Sequence, residues 1–177
     1  MTKNIAITIL FFIFSSPSKA GDKSHLEQYG DIAEYGIPVF AGLVAVMHGD
    51  GDGLVRLGEG ALYTAVATHT LKAAISARRP NGNNNDSFPS GHTSSAFQGA
   101  AFLQFEYGWQ YGVPALLAAT VVGYSRVDSD HHYWRDVAAG ALLATGIQYG
   151  VSQGGYSLTF SPFVEGDAVG LMAHMSF

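Results

Sequence analysis

Three short segments of the sequence carry residue types that together could bind and transfer a phosphate group. They are residues 72–80 (KAAISARRP), 89–92 (PSGH) and 125–136 (SRVDSDHHYWRD), and they supply three cations, a Ser-Gly turn, two histidines and a carboxylate. Cations and backbone N–H groups stabilise a tetrahedral oxyanion, and an imidazole can accept a phosphoryl group. The inventory therefore predicts phosphoryl transfer to a histidine without a metal ion or cofactor.

The first segment places two cations at the end of a predicted helix over residues 54–77. Lys72 and Arg79 are seven residues apart, about two helical turns, so they are expected to share a face, and Pro80 is expected to end the helix. Two such cations suit an anion. Taken alone, they equally suit the dipole at a helix C-terminus, so this segment by itself decides nothing.

The second segment predicts a helix N-terminus that faces a ligand. Ser90 is a favourable N-cap, Gly91 lets the backbone approach closely, and His92 lies in the first turn. Free N–H groups at such a terminus bind phosphate readily. The alternative is an ordinary cap followed by a surface histidine.

The third segment pairs a histidine with a carboxylate. Arg126 is expected to end a helix, and His132 and Asp136 are four residues apart, so they are expected to face each other on one helical turn. A carboxylate that fixes one imidazole nitrogen leaves the other as a nucleophile or base. His131 is the rival nucleophile, but no carboxylate lies four residues beyond it, and an ordinary surface pair remains the alternative for His132 and Asp136.

The order and spacing of these segments resemble the type 2 phosphatidic acid phosphatase (PAP2) superfamily, which includes vanadium haloperoxidases and bacterial acid phosphatases. The resemblance spans residues 62–150. It implies a metal-independent phosphatase in which His132 attacks phosphorus, Asp136 orients it, and His92 protonates the leaving oxygen and then activates water. The phosphate would be held by Lys72, Arg79, Ser90, Gly91 and Arg126.

The substrate implied is a phosphomonoester or pyrophosphate, either a small molecule or a lipid such as phosphatidate, an isoprenyl pyrophosphate or a lipid A phosphate. Two alternatives stay open. One is a vanadate-dependent haloperoxidase, because vanadate mimics the phosphorane. The other is a non-enzymatic envelope protein that docks to a partner through its C-terminal tail.

The rest of the chain predicts an all-α bundle of five to six helices with a short C-terminal β-hairpin. Further helices are expected over residues 27–47, 91–107, 113–124 and 133–151, with Pro114 in the first turn of its helix. After residue 153 the apolar residues alternate with small or polar ones on both sides of residues 165–167, which is typical of a hairpin.

Residues 1–20 resemble a secretory signal peptide, with a basic start, an apolar run of ten residues and a small-x-small site ending at Ala20. This predicts residues 21–153 as the phosphatase domain, residues 154–177 as the hairpin tail, and export to a bacterial periplasm or cell envelope. Loss of Lys3 and Lys19 would leave 7 basic and 14 acidic residues, a net charge of −7, which disfavours a nucleic-acid partner.

Composition leaves the membrane question open. Apolar residues make up 47% of the chain and charged residues 13%, and residues 107–125 and 137–164 are free of charge. These runs are rich in small and polar residues rather than leucine and isoleucine, so they suit either a membrane or a closely packed helical core. The chain has no cysteine, so disulfides play no part.

Overall fold

The computed structural model describes residues 24–154 and the backbone of two strands beyond them. Five helices follow one another: α1 (His25–His48), α2 (Gly51–Ile75), α3 (Gly91–Tyr107), α4 (Trp109–Asp128) and α5 (Trp134–Ser152). The strands β1 (Ser157–Glu165) and β2 (Ala168–Ser176) pair antiparallel, with Ser157 opposite Ser176, as the alternation predicts. The proposed signal peptide, residues 1–20, lies outside the described residues.

Helix α3 is the centre of the bundle, because it packs against all four of the other helices. Nine of its seventeen residues are buried, and most of them are small. Small residues let helix backbones approach closely, so packing relies on alanine and glycine with a few larger side chains such as Phe102 and Leu103. The two charge-free runs fall largely on α4 and α5, and each of these helices contributes buried apolar residues, such as Ala119 and Ala144.

Two glycines on these helices allow contacts that position the site. A Cβ at Gly99 would lie 2.8 Å from both the nitrogen and the Cα of Pro38, so α1 and α3 cross at backbone contact. A Cβ at Gly140 would lie 2.7 Å from the carbonyl oxygen of Ser90, so α5 reaches the first turn of α3. These crossings bring residues from α1, α3 and α5 to one end of the bundle.

Several predicted helix boundaries differ from the structure. Helix α2 ends at Ile75 and not near residue 77, because Ser76 takes the left-handed conformation (φ 47°) and its N–H donates to Lys72 O. Pro80 therefore does not end the helix. Helix α4 begins at Trp109, so Pro114 lies inside it and not in its first turn. Helices α3 and α5 begin where the sequence predicts.

Helix α1 also has the length and composition of a membrane-crossing helix. Its most apolar stretch has a mean hydropathy of 1.4, and no other helix in the described part of the chain meets the same criteria. Core helices and N-terminal signal segments can have the same composition, so this observation alone does not place α1 in a bilayer.

We expect Gly99→Ala to destabilise the fold by about 1–3 kcal/mol, because the added methyl group would meet the backbone of Pro38, which cannot rotate away. Gly146→Ala is the matched control: nothing lies within 4 Å of its Cβ position, so it should stabilise α5 by up to about 1 kcal/mol. Thermal unfolding followed by circular dichroism compares the two variants. Equal stability of both would show that the α1–α3 crossing is not close-packed.

Candidate active site

A cavity of about 440 Å³ opens at the end of the bundle where α1, α3 and α4 meet the loops that follow α2 and α4. Four side chains that the sequence predicts for the site line it together: Arg79, His92, Arg126 and His132. The remaining lining residues are Glu27, Asp31, Glu34, Tyr35 and His131. Segments far apart in the chain therefore converge on one cavity.

His132 is held in a single tautomer. It precedes α5, is only 2% exposed, and its Nδ1 lies 2.7 Å from the carbonyl oxygen of Ser87. A carbonyl oxygen can only accept, so Nδ1 must carry the hydrogen. The lone pair of the neutral ring is therefore on Nε2, which is the nitrogen free to act as a nucleophile.

Burial and two cations keep this imidazole neutral. Burial is the largest cause and lowers the pKa of His132 to about 3, with further lowering from the charges of Arg79 and Lys72. The hydrogen bond to Ser87 and the charge of Asp136 oppose the shift but do not overcome it. At neutral pH the ring is therefore unprotonated at Nε2, as nucleophilic attack requires.

Asp136 acts on His132 differently from the sequence prediction. Its Oδ2 lies 3.8 Å from His132 Nδ1, too far for a hydrogen bond, and instead accepts from Ser87 Oγ at 2.5 Å and from Tyr133 N–H at 2.9 Å. The two residues also do not share a helical turn, because α5 starts at Trp134. The carboxylate therefore fixes Ser87 and the start of α5, and Ser87 in turn fixes the imidazole.

Ser87 is a site residue that the sequence analysis missed. It is fully buried, and it contacts His132 through its carbonyl oxygen and Asp136 through its hydroxyl. A serine between a polar loop and PSGH carries no pattern that distinguishes it from a turn residue. Only its proximity to Pro89 could have suggested a role.

The PSGH segment is attached to the same place by its backbone. The N–H of Ser90 donates to the carbonyl oxygen of Asp136 at 3.0 Å, across 46 positions of sequence. The Ser90 hydroxyl caps α3, accepting from Thr93 Oγ1 at 2.9 Å and, more weakly, from Thr93 N–H at 3.4 Å. Gly91 begins the helix close to Lys72, whose Cε would lie 3.9 Å from a Cβ at this position.

Lys72 lies in the last turn of α2 and braces the loop before α3. Its ammonium group donates to the carbonyl oxygens of Asp86 (2.6 Å) and Pro89 (2.7 Å). Burial, followed by the charge of Arg79, lowers the pKa of Lys72. Its present bonds hold the backbone that carries Ser90 and Gly91, and its charge acts on the site from that position.

Arg79 reaches the cavity from a loop and not from a shared helical face with Lys72. Its backbone N–H donates to Asn84 O, and its carbonyl oxygen accepts from Gly82 N–H, both at 3.0 Å. Its side-chain Nε is buried and has no hydrogen-bond partner among the described residues. A buried guanidinium donor without a partner is costly, so this atom is available to an anionic ligand.

The N-terminal half of α1 supplies partners that the sequence analysis did not foresee. The side chain of Arg126, 3% exposed, donates to Asp31 Oδ1 (2.7 Å) and to the carbonyl oxygen of Glu27 (2.6 Å). His92 Nε2 lies 2.8 Å from Glu34 Oε2, and His131 Nε2 lies 2.9 Å from Glu27 Oε1. The spacing of the three acids, four and then three residues, is a helical-face signal that was present in the sequence.

Comparison with known proteins gives the family of the chain. The family model described as the PAP2 superfamily matches residues 53–158. The chain is 31% identical over 160 residues to a lipid A 4'-phosphatase of Helicobacter pylori, which covers 83% of this chain and 80% of that protein. A lipid A 1-phosphatase of Porphyromonas gingivalis is 39% identical over 76 residues, covering 41% of this chain and 17% of that protein.

The fold has a counterpart among solved structures. The crystal structure of Aquifex aeolicus LpxE superposes with a TM-score of 0.61 at 23% identity, over 75% of this chain and 88% of that one. The five-helix bundle therefore has the fold that the resemblance implies. The chain belongs to the PAP2 superfamily. It is a phosphatase of that superfamily, so the phosphatase prediction is confirmed.

The depressed pKa of His132 predicts a loss of stability in acid. On acidification the unfolded histidine takes up a proton near pH 6.5, whereas the folded one does so only near pH 3, so stability falls as pH drops through this window. At pH 5 the loss is about 2 kcal/mol relative to pH 7. Thermal or denaturant unfolding of the wild type and His132→Gln at both pH values measures it. An identical pH slope in the two proteins would contradict a neutral buried His132.

Proposed function

We propose that this protein hydrolyses a phosphate or pyrophosphate group of a lipid through a phosphohistidine on His132. The observation that carries the proposal is the tautomer of His132: its Nδ1–H is committed to Ser87, which leaves the Nε2 lone pair free in a cavity that Arg79 and Arg126 also line. A neutral nucleophile beside fixed cations suits attack on a phosphate dianion.

In the first step, Nε2 of His132 attacks phosphorus and the bond from phosphorus to the leaving oxygen breaks. His92 gives its proton to that oxygen, so the product leaves as a neutral alcohol or as a protonated phosphate. Charge on the transferred group is spread over its equatorial oxygens, where Arg79 and Arg126 replace the magnesium ions of other phosphoryl-transfer enzymes. Arg79 Nε has no hydrogen-bond partner in the described part of the chain, which supports this role.

In the second step, water attacks the same phosphorus. His92, now neutral, takes the proton of the water, the bond from phosphorus to His132 breaks, and inorganic phosphate leaves. His132 returns to its starting tautomer because Ser87 still accepts from its Nδ1. Asp136 and Ser87 position the ring through both steps, and neither of them carries the reacting proton.

Two observations support a lipid substrate. The relatives that match the chain include lipid A phosphatases and a lipid phosphate phosphatase of Arabidopsis thaliana, the last 42% identical over 73 residues, 33% of this chain and 22% of that protein. Helix α1 also exposes a continuous apolar stripe next to the cavity: Ile32, Tyr35, Val39, Leu43 and Val46, each more than half exposed. A stripe of this kind suits contact with acyl chains, and export to the cell envelope would bring it to such lipids.

We expect purified protein to release phosphate from phosphatidate, an isoprenyl pyrophosphate or a lipid A phosphate in the presence of EDTA. His132→Ala should lower kcat at least about 10²–10⁴-fold, because the covalent step is lost. His131→Ala should cost far less, since that ring is paired with Glu27, and His48→Ala, in the last turn of α1 at the other end of that helix, controls for folding. Full turnover by folded His132→Ala would rule out His132 as nucleophile.

The stripe on α1 predicts that the protein sediments with membranes. Replacing Val39 and Leu43, 62% and 57% exposed, with glutamine should shift the protein toward the soluble fraction, because about 1.5–3 kcal/mol of transfer free energy per side chain is removed. The control is Val55→Gln on α2, which changes an equally exposed residue away from the stripe. Ala41 on α1 would not be a suitable position because it is buried. Fractionation without detergent makes the measurement, and unchanged sedimentation of the double variant would contradict lipid contact through α1.

A further inference from the structure

Three carboxylates on α1 line a cavity that has to receive a phosphate. Glu27, Asp31 and Glu34 lie on one face of the helix, and each of them repels an anionic substrate. Because this repulsion weakens substrate binding, we expect the carboxylates to contribute to the site in another way. Each one contacts a cationic or ionisable group of the site, and these contacts differ from one carboxylate to the next.

Glu34 makes the shortest contact to the proposed general acid. Its Oε2 lies 2.8 Å from His92 Nε2, whereas Asp31 Oδ1 lies 3.3 Å from the same nitrogen and only 2.7 Å from Arg126 Nη1. Asp31 is therefore committed mainly to Arg126 and Glu34 to His92. A carboxylate can only accept, so Nε2 of His92 carries a hydrogen and the proton exchanged during the reaction must be on Nδ1.

The backbone holds Glu34 at this distance. The hydroxyl of Ser95 donates to the carbonyl oxygen of Glu34 at 2.9 Å, and Ser95 lies on α3 three residues after His92, on the same face of the helix. The two helices are also in backbone contact where Gly99 meets Pro38, one turn further along each of them. Both ends of the Glu34–His92 pair are thus fixed to α3.

We propose that Glu34 is a positioning residue, which acts through His92 and not on the substrate. It fixes the tautomer and orientation of the ring and stabilises the imidazolium that donates a proton to the leaving oxygen. No atom is transferred to Glu34 itself: the proton passes from His92 Nδ1 to the leaving oxygen, and later from water back to Nδ1. This inference rests on the proposed histidine mechanism and adds a positioning residue to it.

The leaving group provides the test. Dodecyl phosphate releases an alkoxide, which must be protonated, whereas 4-nitrophenyl phosphate releases a stable phenolate that departs without a proton. The parameter kcat/KM depends only on the steps up to and including the first irreversible one. The second step, in which His92 acts as a base, therefore does not affect kcat/KM. Both substrates are assayed in the same detergent micelles with EDTA.

We expect Glu34→Gln to lower kcat/KM for dodecyl phosphate about tenfold or more, and to change it less than about twofold for 4-nitrophenyl phosphate. Glu34→Asp, which keeps the carboxylate, should recover part of the loss on dodecyl phosphate. Glu59→Gln makes the same chemical change on α2, at a residue that does not line the cavity, and should leave both values unchanged. Circular dichroism confirms that each variant is folded.

The outcomes separate the two proposals. An equal loss on both substrates, or no loss on dodecyl phosphate, overturns the role of Glu34 while leaving His132 chemistry intact. His132→Ala should lose activity on both substrates. If His132→Ala retains activity, or if the wild type hydrolyses neither compound nor any lipid phosphate, the proposed function itself fails.

Discussion

The site depends on one junction between two distant segments, in which Ser87 and Ser90 are joined to residues 132–136. Three hydrogen bonds form it: His132 Nδ1 to the carbonyl oxygen of Ser87, Ser87 Oγ to Asp136 Oδ2, and the N–H of Ser90 to the carbonyl oxygen of Asp136. All of them are buried, where an unpaired polar group costs about 1–3 kcal/mol. The junction therefore fixes at once the position of His132, its tautomer and the start of the helix that carries His92.

The cavity beside this junction combines cations near His132 with acidic residues on α1. Burial is the main cause of the lowered pKa of His132, and the cations that favour a bound anion lower this pKa further. Charge balance comes from the other side of the cavity, where α1 pairs its acids with Arg126, His92 and His131. Within residues 24–154 no group pairs with Arg79 Nε, so this atom can donate to an anionic partner without losing an existing hydrogen bond.

Local sequence signals predicted the starts of α3 and α5 but not the end of α2. The cap at Ser90 and the turn before Trp134 set the starts of α3 and α5 as predicted, because capping depends on residues within one helical turn. The end of α2 was mispredicted because Ser76 adopts a left-handed conformation that its residue type does not favour. The predicted shared face for Lys72 and Arg79 failed for the same reason, although both residues still approach His132 closely enough to affect it.

Long-range pairs could not be derived in this way. The contact between Glu27 O and Arg126 joins residues 99 positions apart, and Ser87 meets Asp136 across 49 positions, and neither pairing has a periodic signature. The motifs predicted that the three segments would meet, but not that a serine would stand between the histidine and its aspartate. Pairings of this kind are decided by how helices cross, and the crossings depend on glycines whose role is visible only in three dimensions.

Helix α1 has a consequence for how the enzyme can be divided. The family match begins at residue 53, after α1 has ended at His48, yet α1 contributes a third or more of the residues that line the cavity. A fragment that begins at residue 53 would keep all three motifs. It would nevertheless remove Asp31 and Glu27, the α1 residues to which the guanidinium of Arg126 donates. Removing the counterion of a buried charge lowers the free energy of unfolding by about 3–5 kcal/mol. The unit that keeps the cavity intact is therefore larger than the region that the family model matches, and it includes α1.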